Sequence, residues 1–159
     1  MRYGTTNYRV EPGRGKRQGG NAIVELALIL PILTSLLLGV WNYGYAFYNY
    51  AKLEEAVRAG ARYASVALYD SASSTPSAAF QRAVQNVVLY GSPSPSGSPA
   101  PVVPSLSASN VVLTVTFTSV PTAMTVTINN YQLPAYFGGM TLKNKPSCWF
   151  AYTGTFGPP

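Results

Sequence analysis

Apolar residues are concentrated in one continuous stretch near the start of the chain. Between Ile23 and Trp41 most side chains are apolar, and Glu25 carries the only charge. As a helix, these 19 residues would span roughly 28 Å, close to the thickness of the hydrocarbon core of a bilayer. The pattern predicts a transmembrane helix over residues 21–41.

Helical spacing continues beyond the apolar stretch. Apolar and small residues recur every three or four positions, at Ala46, Tyr50, Leu53, Val57, Ala61, Ala64 and Leu68. This periodicity predicts that the helix extends outside the membrane over residues 42–69. The point of emergence is rich in aromatic residues, which is typical of a membrane interface. They are Trp41, Tyr43, Tyr45, Phe47, Tyr48 and Tyr50.

Four positions of this helix are candidates for helix packing. Ala56, Gly60 and Ala64 form a ridge of small residues that would let another backbone approach closely. The partner of the ridge is either the sheet of the same chain or another subunit. Pro31 lacks an amide hydrogen and is expected to bend the helix, with Thr34 and Ser35 bonding the carbonyls that it frees.

The remainder, residues 70–159, is expected to form an extracytoplasmic α+β domain. Amphipathic spacing predicts a short second helix from Ala78 to Tyr90, followed by a Pro/Ser-rich linker over residues 91–104. Alternating apolar and Thr residues then predict strands over 111–117 and 124–128, and a third strand within 146–156. Residues 131–139 are expected to be an irregular loop. The strands would form a small antiparallel sheet whose apolar side covers the helices.

The outer face of this sheet is rich in Thr and nearly uncharged. It is either the solvated side of the sheet or a contact surface in a filament, where low charge reduces the cost of desolvation.

The net charge of +6 is concentrated at the N-terminus, in a Gly-rich leader over residues 1–20 that is expected to be disordered. Five basic residues against Glu11 precede the apolar helix, a pattern that holds this end of a membrane protein in the cytoplasm. Nucleic-acid binding is the alternative, but no aromatic platform or groove-binding motif accompanies the charge. We expect no nucleic-acid partner.

The residue types that carry most enzyme chemistry are scarce. The chain has no His, and after the apolar stretch its acids are Glu54, Glu55 and Asp70. We therefore expect no catalytic site, no metal and no cofactor. Lys143 and Lys145 are the remaining candidates for an enzymatic alternative. A single cysteine, Cys148, is expected to be a buried small apolar residue, with intermolecular pairing as the alternative.

A charge at Glu25 requires a reason, because a carboxylate is costly in lipid. One explanation is local: Asn21 would cap the helix, and Glu25 in the first turn would interact favourably with its dipole. A second comes from a resemblance. Gly20, the following Asn-Ala-Ile-Val-Glu and the run from Leu26 to Pro31 resemble the type IV prepilin signal in its TadE-like form. Residues 56–64 resemble the helical continuation of that family, although Leu26 stands where an aromatic often follows the glutamate.

TadE-like proteins are minor pilins, or pseudopilins, of the tight-adherence (Flp) pilus. The resemblance implies that a prepilin peptidase cuts between Gly20 and Asn21, making Glu25 the fifth residue of the mature chain. It also implies that Glu25 neutralises the new α-amino group of Asn21, in the same or a neighbouring subunit. The implied partners are the peptidase, other pilin subunits, the pilus assembly machinery and the lipid bilayer.

The expected protein is a single-pass inner-membrane subunit with a cytoplasmic N-terminus and a periplasmic or extracellular domain, which assembles into a pilus through helix packing. The alternative is a binding module that an uncleaved signal anchor tethers to the membrane.

Overall fold

The computed structural model describes residues 1, 4 and 19–158, and its longest element is helix α1, Gly19–Val66. Helix α2, Ala78–Tyr90, and a short 3₁₀ helix, Ala108–Asn110, follow. The strands are β1 Val111–Phe117, β2 Pro121–Ile128, β3 Tyr131–Leu133, β4 Met140–Leu142 and β5 Ser147–Ala151. The predicted α+β class, with one long helix, one short helix and a small antiparallel sheet, is confirmed. The prediction of a disordered leader falls almost entirely on residues outside those described.

The chain divides into two compact units, Met1–Leu38 and Gly39–Pro159. Helix α1 contributes its N-terminal half to the first unit and its C-terminal half to the second. The second unit contains all the strands and the hydrophobic core.

Three strands form the main sheet, in the antiparallel order β1–β2–β5. In the central strand, Val126 lies opposite Leu113 on one side and Cys148 on the other. Strands β3 and β4 form a separate antiparallel hairpin. The prediction of an irregular loop over residues 131–139 was therefore wrong at its start. With three residues per strand, the alternation of side chains is too short to recognise in the sequence.

One hydrophobic core joins both helices and the inner face of the sheet. Helices α1 and α2 and strand β2 all contribute side chains with no solvent exposure to this core. They are Leu53, Val57, Ala61 and Ala64 of α1, Val84 and Val88 of α2, and Met124, Val126 and Ile128 of β2. Burial of these side chains accounts for the strict apolar spacing seen in the C-terminal half of α1.

Helix α2 begins and ends at capping residues. The Ser77 hydroxyl accepts a hydrogen bond from the Phe80 amide at 3.1 Å and donates one to the Asp70 carboxylate at 2.7 Å. At the other end, Gly91 adopts a left-handed conformation with φ of 75°, and its amide bonds the Val87 carbonyl. These caps satisfy backbone groups that a short helix leaves unpaired, so the predicted bounds of α2 hold.

The ridge of small residues on α1 packs inside the domain. Ala56, Gly60 and Ala64 are all buried. At Gly60 the nearest neighbours are Val84 and Val88 of α2, and a Cβ atom there would collide with the Val88 side chain. The close approach at Gly60 is therefore between α1 and α2 of the same chain.

The C-terminal segment determines where α1 ends. The Tyr152 hydroxyl lies 2.9 Å from the Ala67 carbonyl and accepts a bond from the Tyr69 amide at 3.1 Å. The Thr153 amide donates to the Ser65 carbonyl at 2.8 Å. These bonds satisfy carbonyls that the helix end would leave unpaired. Helix α1 accordingly ends at Val66 instead of continuing to residue 69.

Tyr131 places a phenol in the core. Its side chain is 1% exposed, and its hydroxyl donates to the Pro104 carbonyl at 2.8 Å. Burial, with a smaller contribution from Tyr45, raises the pKa of Tyr131 from 10.0 to about 12. Burial also raises the pKa of Tyr69 and of Tyr152. The folded chain thus holds these phenol protons more tightly than the unfolded chain does.

Gly60→Ala should lower the free energy of unfolding by about 1–3 kcal/mol, because the added methyl group overpacks the contact with Val88. In a chain that already carries Val88→Ala, Gly60→Ala should cost less stability, because the Val88 methyl group with which the new Cβ atom collides is gone. Gly44→Ala is the control, since nothing lies within 4 Å of a Cβ atom at that position of the same helix. Urea unfolding of the full chain in detergent micelles would measure these changes. Equal stability of Gly60→Ala and Gly44→Ala would contradict the close approach.

Tyr131→Phe should make the free energy of unfolding fall less steeply as the pH rises above 10.0. A pKa that is higher in the folded state contributes stability below pH 10.0, and this contribution is lost as the pH rises to about 12. The variant lacks the bond to Pro104 and is less stable at neutral pH, but it has no phenol to ionise at this site. Its deficit relative to the native chain should therefore shrink over this range. The control is Tyr43→Phe, which changes an exposed tyrosine of α1. Parallel pH profiles of unfolding for Tyr131→Phe and the native chain would refute the assignment.

Candidate functional site in the N-terminal half of helix α1

Gly20, Asn21 and Glu25 all lie exposed in the first turns of α1. Because α1 begins at Gly19, Asn21 lies inside the helix, and no acidic residue falls in its first turn. The predictions that Asn21 caps the helix and that Glu25 lies in the first turn were wrong. Residues four apart in a helix share a face, so a chain terminus at Asn21 would lie about one turn from the Glu25 side chain.

The surface that follows Glu25 is apolar around the whole helix. Each large apolar side chain from Ile23 to Trp41 is 44–69% exposed. By length and composition, α1 could cross a membrane, and none of its most apolar window is buried by the described chain. Such a surface is unfavourable in water. It needs either lipid or other apolar helices as neighbours.

Pro31 lies within this surface and leaves one carbonyl, that of Ala27, without its usual helical donor. The Thr34 hydroxyl donates to the Leu30 carbonyl at 2.8 Å, and the Ser35 hydroxyl donates to the Ile32 carbonyl at 2.9 Å. Neither is the carbonyl that Pro31 frees, so the prediction that these hydroxyls replace the missing bond was wrong. Their bonds instead satisfy the two hydroxyl protons within the helix, which lowers the cost of placing them in an apolar environment.

The predicted aromatic patch is divided between two roles. Four of its members are exposed, and two are half-buried against the domain. The exposed ones are Trp41, Tyr43, Phe47 and Tyr48; the half-buried ones are Tyr45 and Tyr50. The Tyr45 ring lies 5.3 Å from that of Tyr136, and the Lys52 ammonium lies 4.6 Å from the centre of the Tyr48 ring. The assignment of the exposed rings to a membrane interface stays a prediction.

Asn42 is a positioning residue that the sequence patterns did not single out. Its Oδ1 accepts bonds from the amides of Tyr136 at 2.7 Å and Phe137 at 3.1 Å. Its Nδ2 donates to the Phe137 carbonyl at 3.0 Å. These bonds attach the loop between β3 and β4 to α1. The sequence signal was an isolated amide directly after the apolar stretch, but its partners lie 94 and 95 residues away.

The other candidate residues lie in the sheet region. Cys148 is half-buried and packs against the core with Phe150 and Tyr152, so it is less covered than the predicted buried residue. Intermolecular pairing stays the alternative. Lys143 and Lys145 are exposed. Across residues 19–158, no three His, Cys, Asp or Glu side chains come close enough together to hold a metal ion.

The outer face of the main sheet fits both interpretations given above, a solvated face and a contact surface. Thr125 lies between Thr114 of β1 and Trp149 of β5, and the Trp149 side chain is 63% exposed. Further along, the Thr127 and Ser147 hydroxyls are 2.9 Å apart. Both a solvated face and a contact surface in a filament are compatible with this uncharged arrangement.

Comparison with known protein families finds a similarity in the N-terminal part of the chain. A family model described as TadE-like protein matches residues 20–62. The match contains Gly20, Asn21, Glu25 and Pro31 and extends past Gly60, and it confirms the resemblance over that segment. Searches of curated proteins and of solved structures found no match.

Proposed function

We propose, starting from the match of residues 20–62 to TadE-like proteins, that this chain is a minor pilin or pseudopilin. It inserts in the inner membrane, is cut by a prepilin peptidase after Gly20 and takes part in pilus assembly through packing of α1. The observation that carries the proposal is the uncovered apolar surface from Ile23 to Trp41, with Glu25 as its single charge. This role requires helix packing and no catalytic chemistry.

The apolar surface determines how such a subunit could leave the membrane. It contains about a dozen large apolar side chains, and moving each from an apolar phase into water costs roughly 1.5–3 kcal/mol. The total of some tens of kcal/mol prevents spontaneous escape of a single subunit. Other apolar helices must therefore replace lipid around α1 as the subunit moves, with an external motor driving the step.

Cleavage after Gly20 would place a cationic α-amino group on Asn21 at the edge of this surface. An unpaired charge there is costly in lipid, and so is the Glu25 carboxylate. The two groups lie about one helical turn apart in a processed chain, so they can neutralise each other within a subunit or between neighbours. Pairing would allow the N-terminal end of α1 to enter an apolar environment with no net charge.

Orientation follows from the leader. The basic residues before Gly20 favour a cytoplasmic position for that end, which puts the domain of residues 70–159 on the opposite side of the membrane. The junction between Gly20 and Asn21 then lies at the cytoplasmic face, where the peptidase would act. The remaining partners are other pilin subunits and the assembly machinery.

Processing after Gly20 can be tested in cells. In cells with an active prepilin peptidase, mass spectrometry of the membrane-derived protein should find an N-terminus at Asn21. Gly20→Leu should leave Met1 at the N-terminus, because the residue before the cut bond is too large for the site, whereas the neighbouring Gly19→Ala should still be processed. An intact leader on the native chain in these cells would instead support the uncleaved signal anchor of a binding module.

The role of Glu25 in assembly can be tested by substitution. Glu25→Val should be processed and inserted normally, but it should co-purify with other pilin subunits about tenfold less, because the α-amino group of Asn21 loses its partner. The control is Glu55→Val, which changes an exposed carboxylate of α1 beyond the apolar stretch. Unchanged co-purification of Glu25→Val would rule out the charge-pairing role.

A further inference from the structure

The loop between β3 and β4 exposes an unusual set of apolar side chains. Tyr136 is 64% exposed, Phe137 is 65% exposed, and Met140 at the start of β4 is 62% exposed. Residues 131–142 contain no Asp, Glu, Lys or Arg. Large apolar side chains grouped on a loop in this way are unfavourable in water and indicate a surface that something covers.

The position of the loop along α1 is fixed by Asn42. Three hydrogen bonds join the Asn42 side chain to the backbone of Tyr136 and Phe137, and the Tyr136 ring packs on Tyr45. Asn42 follows Trp41, the last residue of the apolar stretch, and one residue of helix rises only about 1.5 Å. The loop is therefore held at the level of α1 where the apolar surface ends.

The chemistry around the loop matches the headgroup region of a bilayer. Trp41 and Tyr43 of α1 are exposed and flank Asn42, the residue that holds the loop. Aromatic rings from α1 and from the β3–β4 loop therefore lie at the same level along α1. Trp and Tyr prefer this region because their rings combine apolar and polar parts.

We propose that the β3–β4 loop is a second membrane contact, with Phe137 and Met140 inserted into the lipid surface next to the point where α1 leaves it. This inference rests on the proposed membrane insertion of α1. A lipid surface is favoured over a protein partner because the loop continues the apolar surface of α1 at its end. Two contacts, one through α1 and one through the loop, would restrict rotation of the domain relative to the bilayer.

Tryptophan fluorescence can test this in the full chain, which has two Trp residues. Three single-Trp variants are reconstituted in vesicles of phosphatidylcholine and phosphatidylglycerol, with and without brominated acyl chains that quench by contact. Trp149→Phe retains Trp41, Trp41→Phe retains Trp149, and the double variant with Phe137→Trp places the reporter on the loop. We expect quenching at position 137 comparable to that of Trp41, and little quenching of Trp149 on the outer face of the sheet.

The outcomes separate the two levels of the account. Quenching of Trp41 without quenching at position 137 would overturn the loop contact and leave membrane insertion intact. No quenching of Trp41 would overturn the insertion on which the inference rests. In the same vesicles, the water-soluble quencher acrylamide reports whether the Trp at position 137 is open to water. If neither acrylamide nor brominated lipid quenches it, a protein neighbour covers the loop and the lipid assignment is wrong. Equal quenching of Trp149 and of the Trp at position 137 would also contradict the loop contact, since the outer face of the main sheet would then lie on the lipid as well.

A further variant tests the part played by Asn42. Asn42→Ala, added to the variant that carries Phe137→Trp, removes the three hydrogen bonds between α1 and the loop. Quenching at position 137 should fall, because the loop is no longer held at the end of the apolar stretch. Unchanged quenching would show that Asn42 does not position the loop. Tyr136→Trp, introduced in place of Phe137→Trp in the chain that lacks Trp41 and Trp149, provides a second single-Trp reporter. Its quenching should also fall when Asn42→Ala is added.

Discussion

The apolar surface of α1 between Ile23 and Trp41 is the constraint on which the other features depend, because no part of the described chain covers it. The same helix is a core element further along, where Leu53, Val57 and Ala61 are fully buried. One helix thus meets two environments. Its first half needs lipid or other helices, whereas its second half is covered by α2 and the sheet of its own chain.

This division assigns different contacts to different parts of α1. The close approach at Gly60 is occupied by α2, so contacts between subunits through the same ridge would require α2 to separate from it. In the proposed assembly, helix packing between subunits would therefore fall to the apolar half, where Pro31 and the hydrogen-bonded hydroxyls of Thr34 and Ser35 lie. The bonds from Tyr152 and Thr153 hold the other end of α1 in the domain.

The features that the sequence predicted correctly are those that local periodicity specifies. The apolar stretch, the amphipathic spacing of α2 and the Thr alternation of β1 and β2 each extend over enough residues to be recognised. The features that it missed depend on residues distant in the chain. The end of α1 at Val66 is set by Tyr152 and Thr153, and the role of Asn42 depends on Tyr136 and Phe137. The candidate site at Gly20 and Glu25 can be proposed from the sequence because its motif is linear. The charge pairing proposed for it stays a prediction, since it would involve a terminus that only processing creates.

We propose that the apolar half of α1 exchanges lipid for the helices of other subunits. A photo-crosslinking amino acid at Leu33, on the exposed surface, would identify its neighbours directly in cells. We expect adducts with other pilin subunits while pili assemble, and lipid adducts alone when the assembly machinery is inactivated. Lipid adducts alone under both conditions would contradict it.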